Sequence, residues 1–149
     1  MPIPLLNEWG FLPPGVHDCM MDEIEERFAR FQRTDQRIRL FEKLVVYVKE
    51  ARGTGLAVAL LIDGSFVTAK DEPEGIDLIL VLKPEHDFAA DLRPFEYNVL
   101  SKRRVRQDYR FDLLVAAQGS PQYQTCLDLF QQVRDRELLR KGILRIVFS

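Results

Sequence analysis

The sequence predicts one small α/β domain in which helices flank a mixed sheet, and three observations favour this fold class. The chain has 149 residues, which is close to the commonest domain size. Hydrophobic residues make up 46% and charged residues 30%, as in ordinary globular proteins. Short unbroken apolar runs alternate with stretches in which apolar residues recur at helical spacing, a pattern typical of α/β domains.

The N-terminal stretch, residues 2–18, is rich in Pro and Gly and carries scattered apolar side chains. Pro13-Pro14-Gly15 indicates an extended or turning segment. Its apolar content favours packing along the domain, and a surface for a partner protein is the alternative. Because no nucleophile accompanies His17, we interpret its imidazole as a hydrogen-bonding group that fixes this segment. We therefore predict one domain, 1–149, with residues 1–20 as an extended segment packed on it.

Two helices are predicted next. The first begins at Met21, with Asp18 or Asp22 as its cap, and carries apolar residues at helical spacing. The second runs from about Thr34, a plausible N-cap, to Ala51, and glycines end it. The first apolar stripe comprises Ile24, Phe28 and Phe31, and the second Ile38, Phe41, Leu44, Val45 and Val48.

Two buried strands, Leu56–Ile62 and Ile76–Leu82, are predicted because each is a short apolar run bounded by turn residues. A third strand is predicted over Tyr109–Ala116, where successive side chains lie on alternate sides. Residues 85–105 indicate a helix that is interrupted near Pro94, and Ser120-Pro121 indicates the start of another. The apolar tail, 141–148, is predicted to be a last strand or an extended segment that closes the sheet.

The charge balance gives no indication of nucleic-acid binding. The chain has 21 basic and 23 acidic residues, a formal charge of −2, whereas nucleic-acid-binding domains usually show a basic footprint. We interpret the one basic run, residues 102–106, as a solvated helix end. Cys19 and Cys126 lack metal-ligand spacing, and we interpret Cys126 as a core residue. Neither a signal peptide nor a membrane-spanning run is apparent, so we expect a cytoplasmic protein with reduced thiols and no membrane partner.

The residues most suggestive of chemistry lie where two predicted strands meet. Asp63-Gly64-Ser65 breaks the first strand, and Asp77 stands at the mouth of the second. Glycine lets a backbone approach a bulky anion, and a serine hydroxyl can donate to phosphate oxygens. A carboxylate such as Asp77 can hold Mg²⁺ together with substrate phosphates. The alternatives are that Gly-Ser forms a simple turn and that Asp77 caps a loop or pairs with Lys70 or Lys83.

Asp112 is predicted midway along the third strand, where it is the only carboxylate among apolar neighbours. A buried carboxylate needs compensation by a metal ion, a base or a hydrogen-bond donor. The alternative to a metal is an ion pair with Arg110 or Arg145.

This arrangement resembles the nucleotidyltransferase superfamily, which has the DNA polymerase β-like fold. The resemblance rests on Gly64 and Ser65 at a strand end, Asp77 at the start of the next strand and Asp112 on a later one. The chain is also similar, over most of its length, to a family of short bacterial proteins. Its Asn-Glu-x-Gly-x-Leu-Pro-Pro-Gly segment, 7–15, and its Asp-Gly-Ser-Phe-Val-Thr segment, 63–68, carry that similarity.

The resemblance implies Mg²⁺-dependent transfer of a nucleoside monophosphate from an NTP to an acceptor hydroxyl. It implies that Gly64 and Ser65 hold the β and γ phosphates and that Lys70 reaches the triphosphate. It further implies that Asp77 holds the metal, while Asp112 holds a second metal or orients the acceptor. Small stand-alone members of the superfamily often belong to toxin–antitoxin or phage-defence pairs, and the resemblance extends that context to this chain.

One difference from the superfamily pattern bears on catalytic activity. Gly75 stands where the superfamily has the first of two aspartates. Glu74 is adjacent, but neighbouring strand residues point to opposite faces, so only a loop conformation would bring it round. Two-metal transfer needs enough carboxylates for both ions, and Asp77 and Asp112 alone favour one. The alternative function is therefore a degenerate binding module that acts through a protein partner. The metal-site interpretation survives if the carboxylates of Asp77 and Asp112 face each other across a solvent-open cleft beside Ser65, and it fails if Asp112 is tied to an arginine.

Overall fold

The structure, a computed structural model, describes residues 3–30, 35–133 and 136–148, and for 136–138 it describes the backbone only. The elements in chain order are β1 (Gly15–Asp18), α1 (Met21–Ile24), a π-helical turn (Glu25–Ala29), α2 (Gln36–Thr54), β2 (Ala57–Asp63), a 3₁₀ turn (Ser65–Val67), β3 (Asp77–Leu82), α3 (Pro94–Leu100), α4 (Lys102–Tyr109), β4 (Asp112–Ala117), α5 (Pro121–Phe130), β5 (Gln132–Val133), β6 (Arg136–Arg140) and β7 (Gly142–Val147).

The main sheet is mixed and has five strands in the order β1-β7-β2-β3-β4, as the predicted fold class requires. The strand pairs β1–β7 and β3–β4 are parallel, and β7–β2 and β2–β3 are antiparallel. A separate hairpin joins β5 and β6. The tail lies inside the sheet as β7 and does not close its edge. Neither β1 nor the hairpin was predicted, because their short sequences lack strand-like runs.

The central strands β2 and β3 are apolar except for the aspartate at one end of each, because both of their faces are covered. Leu60 and Ile62 of β2 belong to the large core cluster that α2 packs against. Leu61, between them, belongs to a second cluster with Leu127 and Phe130 of α5. Alternate residues along each strand therefore enter opposite cores, which explains why the sequence shows no polar alternation there.

The buried face of α2 differs from the predicted stripe. Phe41, Leu44 and Val48 are buried as predicted, but Ile38 is 42% exposed. In the first turn of α2, the residue that faces the core is Arg37, which is fully buried, and not Ile38. Gly55 ends the helix in the left-handed conformation with φ 68°, as predicted. The predicted Thr34 cap and Phe31 lie outside the described residues.

Three other predicted helix or strand boundaries differ from those in the structure, and the predicted start of α5 is confirmed. Residues 85–93 are not helical, and the helical region begins at Pro94, in the first turn where proline is tolerated. α4 extends to Tyr109, so the third predicted strand begins at Asp112 instead. Ser120 caps α5 as predicted, since its Oγ accepts a hydrogen bond from the Tyr123 amide.

The first helix begins at Met21 as predicted, but neither Asp18 nor Asp22 is its cap. Its N-cap is Met20, whose amide donates to the Glu23 carboxylate. Asp18 instead accepts two hydrogen bonds from Arg145.

The N-terminal segment packs on the domain as expected. Ile3 and Leu12 are buried in the main core, and β1 pairs with β7. The His17 Nε2 atom lies 2.7 Å from the Pro13 carbonyl oxygen, which confirms the structural interpretation of this histidine. Cys19 is buried, and Cys126 is only half-buried beside the second cluster. Within the described residues, every helix is too short or too polar to traverse a bilayer.

Candidate functional site

Three aspartates lie side by side at one end of the main sheet. Asp63 is the last residue of β2, Asp77 the first of β3 and Asp112 the first of β4. Asp77 is the register partner of Asp63 on one side and of Asp112 on the other. Register partners on neighbouring strands point to the same face. The three residues, here called the aspartate row, therefore bring together the two predicted carboxylates and a third, Asp63, that was not predicted.

The aspartate row opens onto a cleft of about 1890 Å³, which also contains Gly64 and Ser65. This volume exceeds the roughly 300–1,000 Å³ of most small-molecule sites, so it has room for a nucleotide and part of an acceptor. Among the described residues, five basic and four acidic side chains line the cleft. The basic residues are Lys70, Arg106, Arg110, Arg140 and Lys141, and the acidic residues are Asp63, Glu74, Asp77 and Asp112.

Gly64 and Ser65 close the loop that runs from Ser65 to Gly75. This agrees with the alternative prediction that Gly-Ser forms a simple turn. The Ser65 Oγ accepts hydrogen bonds from the amides of Glu74, at 2.8 Å, and Gly75, at 3.4 Å. Gly64 has φ 94°, and a Cβ there would lie 2.9 Å from the Gly75 carbonyl oxygen. Because two amides use the acceptor sites of the hydroxyl, Ser65 can contact a phosphate only as an O–H donor.

Lys70 and Glu74 pair with each other across this loop. The Lys70 Nζ lies 2.9 Å from Glu74 Oε1, and both side chains are largely exposed. Glu74 therefore does not replace the missing first aspartate, since its carboxylate is engaged with Lys70 and its amide with Ser65. Lys70 lines the cleft, so it remains within reach of an anionic ligand.

The prediction that Asp112 is a buried carboxylate midway along a strand is wrong. Its side chain is 65% exposed, because β4 begins at this residue. It forms an ion pair with Arg106 of α4. Neither predicted partner, Arg110 or Arg145, forms an ion pair with Asp112 in the described part of the chain. Arg145 pairs with Asp18 instead, and Arg110 lines the cleft. By the criterion set above, the ion pair with Arg106 contradicts the predicted metal site formed by Asp77 and Asp112.

Asp63 is the most buried member of the aspartate row, with a side chain that is 3% exposed. Its Oδ2 lies 3.0 Å from the Lys141 ammonium. Its Oδ1 is buried and has no hydrogen-bond partner in the described part of the chain. Burial raises the pKa of Asp63 to about 6, although the charge of Lys141 opposes this change.

Asp77 forms no ion pair with any described residue, which excludes the predicted alternatives of Lys70 and Lys83 within that part of the chain. Burial raises the pKa of Asp77 above its ordinary value, and the neighbouring charge of Asp112 adds to this. The positive charge of Lys141 acts to lower the pKa of Asp77. A cation near Asp77 would relieve both unfavourable effects.

The aspartate row has too few carboxylates without an ion pair to hold two metal ions, since Asp63 pairs with Lys141 and Asp112 with Arg106. No cluster of three or more His, Cys, Asp or Glu side chains suited to a metal ion is present among the described residues. A single Mg²⁺ that also binds substrate phosphates would need the Asp77 carboxylate and the Oδ1 atom of Asp63, which is buried in this structure. A second ion would compete with Arg106 for Asp112, and Gly75 supplies no further ligand.

We expect Asp63→Asn to change how stability depends on pH. The folded pKa of Asp63 is about 6 and its ordinary value is 3.8, so between these pH values only the folded state keeps the proton. Wild-type stability therefore falls as pH rises through this window, by up to about 1 kcal/mol per pH unit, and the variant lacks this contribution.

Urea unfolding in EDTA at pH 4, 5, 6 and 7 measures the difference between the two proteins. Asp91→Asn, at an exposed position, controls for removal of a carboxylate. Parallel profiles of wild type and Asp63→Asn would contradict the assignment.

Sequence reasoning missed Asp63, Lys141 and Arg106 as members of the site. Asp63 carried a usable signal, since it is a carboxylate that ends an apolar run directly before Gly-Ser. Arg106 was assigned to a solvated basic run, and nothing in the pattern around Lys141 distinguishes it from an exposed lysine. Both reach the cleft only because α4 and β7 are placed beside the row.

One family model matches residues 4–147, and its description is "Family of unknown function (DUF6932)". No curated protein and no solved structure gives a significant match to the chain.

Proposed function

The chain belongs to the family of unknown function DUF6932, and we propose that it is a nucleotidyltransferase-like protein whose cleft binds a nucleoside triphosphate with one Mg²⁺. The observation that supports this most is the aspartate row, which lies beside the Ser65 loop in an open cleft. Carboxylates on adjacent strands suit a hard cation, and the basic cleft wall suits the phosphates that the cation would accompany.

Individual residues have distinct roles in this proposal. Asp77 and the Oδ1 of Asp63 would hold Mg²⁺, which would neutralise phosphate charge when bound. Ser65 donates its O–H to a phosphate oxygen, and Lys70, Arg110 and Arg140 compensate the remaining negative charge. These basic side chains line the same cleft as Asp77.

The proposed reaction is transfer of the nucleoside monophosphate to an acceptor hydroxyl. The acceptor oxygen forms a bond to the α-phosphorus while the bond to the bridging oxygen breaks. Pyrophosphate leaves with that electron pair, and the hydroxyl proton passes to the exposed carboxylate of Asp112. Positioning and charge compensation supply most of the rate enhancement in such a reaction.

Calorimetric titration of Mg²⁺-ATP and Mg²⁺-GTP tests the binding site. We expect binding that requires Mg²⁺ and that Asp77→Asn weakens by at least about 100-fold, since even outer-shell changes at metal sites cost 10- to 100-fold. Asp91→Asn, at an exposed position outside the cleft lining, is expected to bind like wild type. Failure of all four NTPs to bind, or binding indifferent to Mg²⁺ and Asp77, would contradict the proposal.

A binding module without turnover, acting through a protein partner, is the second candidate. Arg106 pairs with Asp112 and Lys141 with Asp63, so the protein's own cations already match two of the three carboxylates. Gly75 removes a further ligand that transfer would need. Incubation with α-phosphate-labelled ATP and a cell extract separates the candidates. Transfer puts label into protein, RNA or a small molecule and releases pyrophosphate, whereas the module binds the nucleotide and does neither.

A further inference from the structure

Trp9 is an aromatic side chain at the cleft that the proposed roles do not use. It lines the cleft, and it is 49% exposed. Ile3 and Leu12 of the same segment are buried in the domain's own core. The segment therefore has enough apolar anchors without Trp9, and this partly exposed residue lines a cleft that also contains charged side chains.

The backbone around Trp9 is held firmly beside the Ser65 loop. The Asn7 side chain accepts hydrogen bonds from the amides of Trp9, at 3.0 Å, and Phe11, at 3.1 Å. The Gly10 carbonyl oxygen accepts one from the Ala69 amide at 3.0 Å. Ala69 belongs to the loop that Ser65 closes, so this hydrogen bond fixes the position of the Trp9 turn relative to that loop.

We propose that Trp9 is the platform on which the base of the bound nucleotide stacks. This inference rests on the proposed function. A flat apolar ring at the edge of a cleft that also contains Arg110 and Arg140 matches a ligand with a flat aromatic end and an anionic end. Stacking tolerates different bases because every base has a π-face. The platform therefore explains binding of the base without selecting among purines.

Trp9 is the only tryptophan in the chain, so tryptophan emission reports on this position alone. We expect Mg²⁺-ATP and Mg²⁺-GTP to quench this emission, after correction with free tryptophan for absorption by the nucleotides. Magnesium tripolyphosphate, which has no base, is expected to bind by calorimetry without quenching. Trp9→Ala is expected to weaken Mg²⁺-ATP binding about tenfold and to leave tripolyphosphate binding unchanged.

Two variants serve as controls for these measurements. Trp9→Phe keeps a ring and is expected to retain most of the ATP affinity. Leu5→Ala removes an apolar side chain of the same segment that is 82% exposed and outside the cleft lining, so it is expected to bind both ligands like wild type. Matching thermal midpoints of all variants establish that they are folded.

The outcomes separate the inference from the function on which it rests. ATP binding with unchanged Trp9 emission and with equal affinity in Trp9→Ala would overturn the stacking platform alone. Equal weakening of ATP and tripolyphosphate binding in Trp9→Ala would also overturn it, since the residue would then act on the phosphate site. Failure of both ligands to bind the wild type would overturn the proposed function itself.

Discussion

Replacement of Arg37 by Ala is expected to lower the free energy of unfolding by about 4 kcal/mol. Arg37 is fully buried near the start of α2. Its guanidinium donates to the backbone carbonyl oxygens of Phe28, Phe66, Thr68 and Lys70. Hydrogen bonds from a charged donor each contribute about 1.5–3 kcal/mol, and the truncation would leave buried carbonyl groups without partners.

Burial lowers the pKa of Arg37 to about 10, so the side chain stays charged at neutral pH. Three of these acceptors lie in residues 66–70, directly after Ser65. Loss of this residue is therefore expected to loosen one wall of the cleft as well as the core. Arg37→Lys keeps the positive charge but lacks the planar guanidinium, so we expect its free energy of unfolding to lie between those of wild type and Arg37→Ala.

Urea unfolding measures this effect, and amide hydrogen exchange of residues 64–75 follows the loop. Arg39→Ala is the matched control, since Arg39 lies two residues away on the same helix with a side chain that is 69% exposed. A surface pair of this kind contributes about 0.5 kcal/mol at most. Equal stabilities of Arg37→Ala and Arg39→Ala would contradict the role assigned to Arg37.

Replacement of Gly142 by Ala is expected to cost about 3 kcal/mol and to release the N-terminal segment. A Cβ at this position would lie 2.0 Å from the Pro13 carbonyl oxygen and 2.8 Å from His17 Nε2. The first of these is backbone, so relief requires β1 to move away from β7. The hydrogen bond from the Gly142 amide to the Leu12 carbonyl would be lost with it. Forced overpacking typically costs 1–3 kcal/mol and occasionally more.

Gly53→Ala is the matched control for Gly142→Ala. Gly53 lies in α2, and nothing would lie within 4 Å of a Cβ there. Because alanine favours a helix over glycine by about 1 kcal/mol, this variant is expected to be as stable as wild type or more so. Urea unfolding gives the free energies, and limited proteolysis reports on residues 3–18. Slow cleavage there in Gly142→Ala would contradict the expected release.

Local pattern was sufficient for most of the fold. The apolar runs of β2 and β3, the Ser120-Pro121 helix start and the glycine after α2 all lie where the sequence predicted them, within a few residues. These features depend on neighbours in the chain, through hydrophobic periodicity and capping. The predictions failed where a distant contact decides the outcome. Arg37 occupies a core position because carbonyl groups of a remote loop satisfy it, and no hydropathy pattern reveals that.

In the candidate site, too, local features were predictable from the sequence, and contacts between distant residues were not. The sequence by itself determined the Gly64-Ser65 turn and the placement of Asp77 at a strand start, because strand ends and turn residues are local properties. Only the tertiary structure decided that Asp63 joins Asp77 and Asp112 in one row, since strand register across three segments sets that alignment. It likewise decided which cations meet the row. Arg106 lies on α4, and Lys141 lies directly before β7. Their pairing with the row depends on distance in space, which spacing along the chain does not encode.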